Sequence, residues 1–140
     1  MAINFFVEDT SYKIKNKLPL KKWLKEAILS HHHTLNELNI ILCSDNYLHE
    51  MNLKYLNHDT LTDVITFDNA ETPQHIEGDI FISIERIKEN AQSLKLRVED
   101  ELHRVMVHGT LHLLGFKDKT TQDKENMRKM EDFWLGKLEM

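Results

Sequence analysis

His108-Gly-Thr-Leu-His112-Leu-Leu-Gly115-Phe-Lys-Asp118 has the spacing of a metal site rather than that of a packed helix. Residues four apart lie one above the other on a helix face, so His108 and His112 can aim two imidazole nitrogens at one ion. Glycine ends helices in the left-handed conformation, and a backbone turned at Gly115 can bring Asp118 round as a third ligand from outside the helix. Two neutral imidazoles and a carboxylate suit one Zn²⁺ ion, with the fourth position left to water. Nine histidines in 140 residues give about 0.6 such pairs by chance. It is therefore the added glycine and acid that set this pair apart from two histidines lining a core helix.

The pattern has the outline of the zinc-protease motif HExxHxxGxxH/D, but Gly109 stands where the protease keeps its glutamate base. Without that carboxylate a peptidase lacks its proton acceptor, and the site is expected to serve another hydrolysis. Three strings lie upstream: Asn52-Leu-Lys-Tyr55, Thr62-Asp63-Val64-Ile65-Thr66-Phe67 and Gly78-Asp79-Ile80-Phe81-Ile82-Ser83. In this order and spacing, with HGTLHLLG, they resemble the YbeY family of bacterial endoribonucleases and rRNA maturation factors, over roughly residues 35 to 132.

The resemblance implies a small α+β fold and one zinc ion held by three side chains. It further implies cleavage of single-stranded RNA, with a role in 16S rRNA 3′-end maturation and ribosome quality control. The partners it implies are 16S rRNA and the ribosome or its small subunit. His108 and His112 match the family's first two ligands. The family's motif ends GYDH, whose histidine is the third ligand; here GFKD places Asp118 at that position and Lys117 where the family has Asp. A carboxylate ligand removes one unit of positive charge from the site and makes the ion a weaker Lewis acid. The family also carries an arginine, which meets phosphate, directly after the residue matched by Tyr55, and this chain has Leu56. Arg104, one turn before His108, is a candidate to hold phosphate in its place, or else an i,i+4 partner of Asp100.

Phosphodiester hydrolysis also needs a proton acceptor. Asp63 and Asp79 are acids within strand-like runs, with turn-capping by accepted backbone N–H groups as the alternative for each. His58 is a third candidate. Thr66 and Ser83 can present hydroxyls to a nucleotide. Between Lys13 and Lys25 there are six lysines and no acid, although the whole chain carries a net charge of −5. That stretch offers Lys21, Lys22 and Lys25 as phosphate contacts, flanked by Tyr12 and Trp23 for base stacking; the other reading is a solvated face with Trp23 in the core. Two further readings stand beside the ribonuclease: a zinc hydrolase of other substrates, and a ribosome-associated RNA-binding factor whose zinc is structural.

These residues need a scaffold, and 140 residues with 41% apolar content suit one domain spanning 1–140. The amino terminus fits neither a signal peptide nor a membrane span, so a cytoplasmic location is expected. Cys43, the single cysteine, sits in an apolar run and reads as a buried small hydrophobe. Strands are expected at Ile3–Val7, Leu38–Cys43, Thr62–Phe67 and Asp79–Ser83. Helices are expected at Leu20–Leu29, at 44–56 with Leu48, Met51 and Tyr55 buried, at Ile84–Leu94 and at Glu99–Leu114. A last helix should be capped by Thr120 or Thr121 and carry a stripe of Met127, Met130, Phe133, Trp134 and Leu138. His31-His32-His33 reads as a polar turn, and the polar loop 68–77 as one wall of a cleft. Four strands and about five helices, not strictly alternating, make an α+β fold with a mixed sheet and a metal site at the end of a helix.

Overall fold

The structure, a computed structural model, describes residues 2–56 and 62–138. Its elements are β1 (Ala2–Val7), α1 (Lys17–Ser30), β2 (Thr34–Cys43), α2 (Asp45–Leu56), β3 (Val64–Asp68), β4 (His75–Ser83), α3 (Ile84–Leu94), α4 (Val98–Leu113) and α5 (Thr121–Lys137). The sheet runs β1-β2-β4-β3, with β1, β2 and β4 parallel and β3 antiparallel to β4. This is the expected mixed four-stranded sheet with five helices. No helix among the described residues is long and apolar enough to cross a membrane.

Period-two alternation divides the sheet. On β2 and β4, Leu38, Ile40, Leu42, Ile76, Ile80 and Ile82 are buried and join Leu24, Met106, Val107 and Trp134 in the main core. The opposite face holds a smaller cluster of Cys43, Leu48 and Ile65 under α2, flanked by Phe67 and Phe81. Beside that cluster the face is polar: Asn4 donates to Asn39 (3.0 Å) and Asn39 to Asp79 (3.0 Å). Asp79 thus points away from α4. It accepts from side-chain amides rather than capping a turn, and its place opposite the metal helix removes it as a base candidate.

Several boundaries differ from the sequence reading. Helix α1 starts at Lys17 rather than Leu20; Pro19 falls in the first turn, where a missing N–H costs nothing. Strand β2 begins at Thr34 and β4 at His75, because parallel pairing of Thr34 with His75 and Leu35 with Ile76 extends both strands. Tyr55 is exposed, whereas Asn52 is buried in its place. Phe133 is also exposed, although Met127 and Trp134 are buried as the stripe requires. His31 is more than turn: Trp134 Nε1 donates to its Nε2 (3.3 Å), and its ring packs edge-on against Phe116.

Helix α4 lies close on the sheet because of Gly109. A Cβ there would stand 2.9 Å from Ile80 Cγ2 and 3.3 Å from Thr66 Cγ2. The position that a zinc protease gives to its glutamate base is here a packing contact.

Candidate metal centre

Helix α4 carries His108 and His112 on one face, and the way it stops supplies the rest of the site. Gly115 has φ +106°. Its N–H donates to His112 O (3.0 Å), and Phe116 N–H donates to Leu111 O (3.0 Å). This pair of bonds is the Schellman ending, which needs the left-handed residue that glycine supplies. The turn has two consequences. It points Phe116 O back at His112 Nδ1 (3.1 Å), and it returns the chain so that Asp118 faces both histidines. Thr120 then starts α5 through a reciprocal capping box with Asp123.

The nitrogens' roles follow from their partners. His112 Nδ1 faces a carbonyl, which only accepts, so the hydrogen sits on Nδ1 and Nε2 keeps a lone pair. His108 Nδ1 faces the Glu131 carboxylate at 2.6 Å, with the same result. Three lone-pair atoms therefore converge: His108 Nε2 and His112 Nε2 are 3.1 Å apart, and Asp118 Oδ2 lies 3.3 Å from the second and 3.6 Å from the first. Zinc bonds of about 2.0–2.1 Å in a tetrahedron require ligand atoms about 3.3–3.4 Å apart, so the triangle fits one face of such a sphere. Without a cation, two opposed imidazole lone pairs at 3.1 Å repel. Among the described residues no other His, Cys, Asp or Glu joins this group. The expected ligand set is brought together.

Glu131 escaped the sequence reading. Its carboxylate is 8% exposed and bridges His108 Nδ1 to Arg104 Nη1 (2.8 Å). Burial alone disfavours charge on His108, but the hydrogen bond and charge of Glu131, with Asp118 and Asp63 behind, outweigh it and raise the His108 pKa. Burial likewise opposes ionisation of Glu131, yet His108 and Arg104 hold its pKa below the usual carboxylate range. The signal for Glu131 was present: it lies four residues after Met127 and three before Trp134, an acid on the buried face of α5.

Arg104 does not meet Asp100. Its Nη1 is on Glu131 and its Nη2 on Asp132 (2.9 Å), while Asp100 faces Arg97 Nε at 3.7 Å. Asp63, half-buried at the entry to β3, acts electrostatically on His108 and on Glu101. Ser83 is fully buried; its hydroxyl donates to Asp45 and accepts from Arg86 N–H at the start of α3, so it faces no substrate. His58 lies outside the described residues. Leu56, where the resemblance places an arginine, ends α2 and is exposed.

The chain that joins β3 to β4 does wall a cleft, of about 360 Å³, with His33, Leu113 and Gly115 opposite Asp68, Pro73 and His75. Lys21, Lys22 and Lys25 line a separate groove of about 490 Å³ at the start of β1, with Asn4 and Leu35. Trp23 is not available there for stacking, because it is 3% exposed and donates to Trp134 O (2.6 Å).

Comparison with known proteins adds an independent line. The family profile described as Endoribonuclease YbeY matches residues 5–139. A protein of Cytophaga hutchinsonii named Endoribonuclease YbeY is 53% identical over 135 residues, covering 96% of this chain and 94% of that protein. One of the same name from Amoebophilus asiaticus is 49% identical over 133 residues, covering 95% and 90%. Among solved structures, a Thermotoga maritima protein determined in solution is similar at 27% identity with a TM-score of 0.65, over 97% of this chain and 91% of that one.

Proposed function

Because the chain belongs to the Endoribonuclease YbeY family, we propose that it is a zinc-dependent endoribonuclease that cuts single-stranded RNA. In this reading it acts in 16S rRNA 3′-end maturation and ribosome quality control, in contact with the ribosome or its small subunit, in the cytoplasm, with residues 1–140 forming one catalytic domain. The observation that carries the reading is the convergence of His108 Nε2, His112 Nε2 and Asp118 Oδ2 on one point.

A bound zinc ion supplies a Lewis acid for a non-bridging phosphate oxygen and lowers the pKa of its water. The chain's own residues do the rest. His108 and His112, fixed as Nδ1–H tautomers, present neutral donors, and Asp118 adds one negative charge. Asp63 is the proton acceptor in this reading, within electrostatic reach of His108. Lys21, Lys22 and Lys25 hold the phosphates of RNA extending beyond the cleavage site.

The test is cleavage of a single-stranded 16S 3′-end RNA by zinc-loaded protein, beside His112→Ala and a chelated sample. Cleavage by the parent that is lost in both controls is the expected result. A folded, zinc-bound parent that cuts nothing would overturn the enzyme reading in favour of a ribosome-binding factor. Asp63→Asn should lower cleavage by about 10²-fold or more with zinc retained, the scale of a lost general base; full activity would remove Asp63 from its role.

A further inference from the structure

We propose that Glu131, clamped by Arg104, is the positioning residue of the metal centre: it fixes the tautomer and ring orientation of His108, and so sets how tightly zinc is held. The inference rests on the metal reading above and extends it to two residues outside the ligand set.

The two histidines are supported unequally. His112 leans on a backbone carbonyl, which the helix ending supplies without any side chain. His108 sits mid-helix, where the backbone carbonyls are used within the helix, so a side chain from another element has to reach its Nδ1. Glu131 comes from α5, at 2.6 Å from Nδ1. A carboxylate at Nδ1 does more than a carbonyl: it holds the hydrogen there, so that the neutral ring carries its lone pair on Nε2, and makes the imidazole a stronger donor to a metal. Such support matters in a site whose third ligand is the half-exposed Asp118, at 43% side-chain exposure.

A buried carboxylate between two helices is costly unless its remaining oxygen is paired. Arg104 meets that need at 2.8 Å and is itself held from outside by Asp132 at 2.9 Å. The line Asp132–Arg104–Glu131–His108 thus alternates in charge up to the ligand. Both terminal nitrogens of Arg104 are occupied by carboxylates, which assigns it to holding Glu131 rather than a phosphate.

A merely structural Glu131 would tie α5 to α4 and influence zinc only through folding, so the test reads the ligand itself. Zinc affinity is measured by chelator competition on the full chain, with thermal unfolding alongside. Glu131→Gln is expected to unfold near the parent temperature and bind zinc about 10-fold more weakly, and Glu131→Ala about 10- to 100-fold more weakly. Lys129→Ala, at an exposed position of α5 outside this line, should bind zinc like the parent. ¹⁵N NMR of the metal-free parent, well above the ordinary histidine pKa, should show His108 as the Nδ1–H tautomer. A parent with His108 as the Nε2–H tautomer overturns the proposal even if both Glu131 variants fail to fold. Folded Glu131 variants with parental affinity overturn it too, provided His112→Ala has lost zinc. If His112→Ala also keeps zinc at parental affinity, the metal reading itself falls.

Discussion

Glu101 lies two turns before His108 on α4, 5% exposed, with Oε1 buried and lacking a hydrogen-bond partner among the described residues. Burial, and then the charge of Asp63, raise its pKa above the ordinary carboxylate value, while Arg104 and Arg128 oppose the shift. A carboxyl whose pKa is higher folded than unfolded favours the fold only in its protonated form. Below the unfolded pKa both states are protonated and nothing is lost. As pH rises through the interval between the two values the folded state loses stability, and above the folded pKa the loss is complete and constant. Glu101→Gln, neutral at every pH, should therefore unfold a few degrees higher than the parent at neutral pH and at the same temperature in acid. A gain that is equal at both pH values would assign the effect to packing instead. Residue roles were legible where partners are close in sequence: His108, His112 and Asp118 fall within one turn-and-loop segment whose geometry glycine dictates. For Arg104 the sequence offers a phosphate or Asp100, because i,i+4 is the only protein partner a lone helix displays. Its actual partners are 27 and 28 residues away and were selected by the packing of α5 on α4.

Helix α4 is positioned by what Gly109 lacks. Alanine in an exposed helix would gain about 1 kcal/mol over glycine, but here its Cβ would meet Ile80 at 2.9 Å, and overpacking of this kind costs about 1–3 kcal/mol. Ile80 is fully buried and cannot swing aside. Gly109→Ala should thus lower the unfolding temperature and weaken zinc binding together, since α4 moves with both histidines; an unchanged temperature would show that the sheet yields. Thr120→Ala, which removes the bond that the Asp123 N–H donates to Thr120 Oγ1 two residues after Asp118, should cost about 1 kcal/mol of stability in denaturant unfolding. Element type was readable from apolar periodicity throughout, and strand length was not. Asn36, Glu37 and Asn39 interrupt the hydrophobic signal of β2, and His75 and Glu77 that of β4. They are strand because each edge finds its parallel partner, which is tertiary pairing rather than local preference. Tyr55 likewise has the spacing of a core residue, but it lies exposed in the last turn of α2, its ring edge-on to Phe67 and under Lys54 Nζ at 5.3 Å.

The whole molecule bears a net charge of −5, so its attraction to RNA has to be local. The three groove lysines form no ion pair with a carboxylate among the described residues, Lys21 resting instead over the Phe5 ring at 6.0 Å. They lie on α1 at the β1 edge, whereas His108 and His112 belong to α4, which packs over β3 and β4, and Asp118 to the turn that follows it. An RNA that reaches both must run across the α1 and α4 side of the fold, so length should govern the contribution of the lysines. With Lys21, Lys22 and Lys25 all replaced by Ala, the slope of log affinity against log salt should flatten by about 2 for a long single strand, at about 0.7 per phosphate contact. For that substrate KM should rise with kcat unchanged, because the contact is equal in the ground and transition states. An oligonucleotide only long enough to cover the metal ligands should be cut by parent and variant alike. A variant that lost kcat on both lengths would place the lysines at the cleavage site, and one that lost nothing on either would return them to the solvated face of α1.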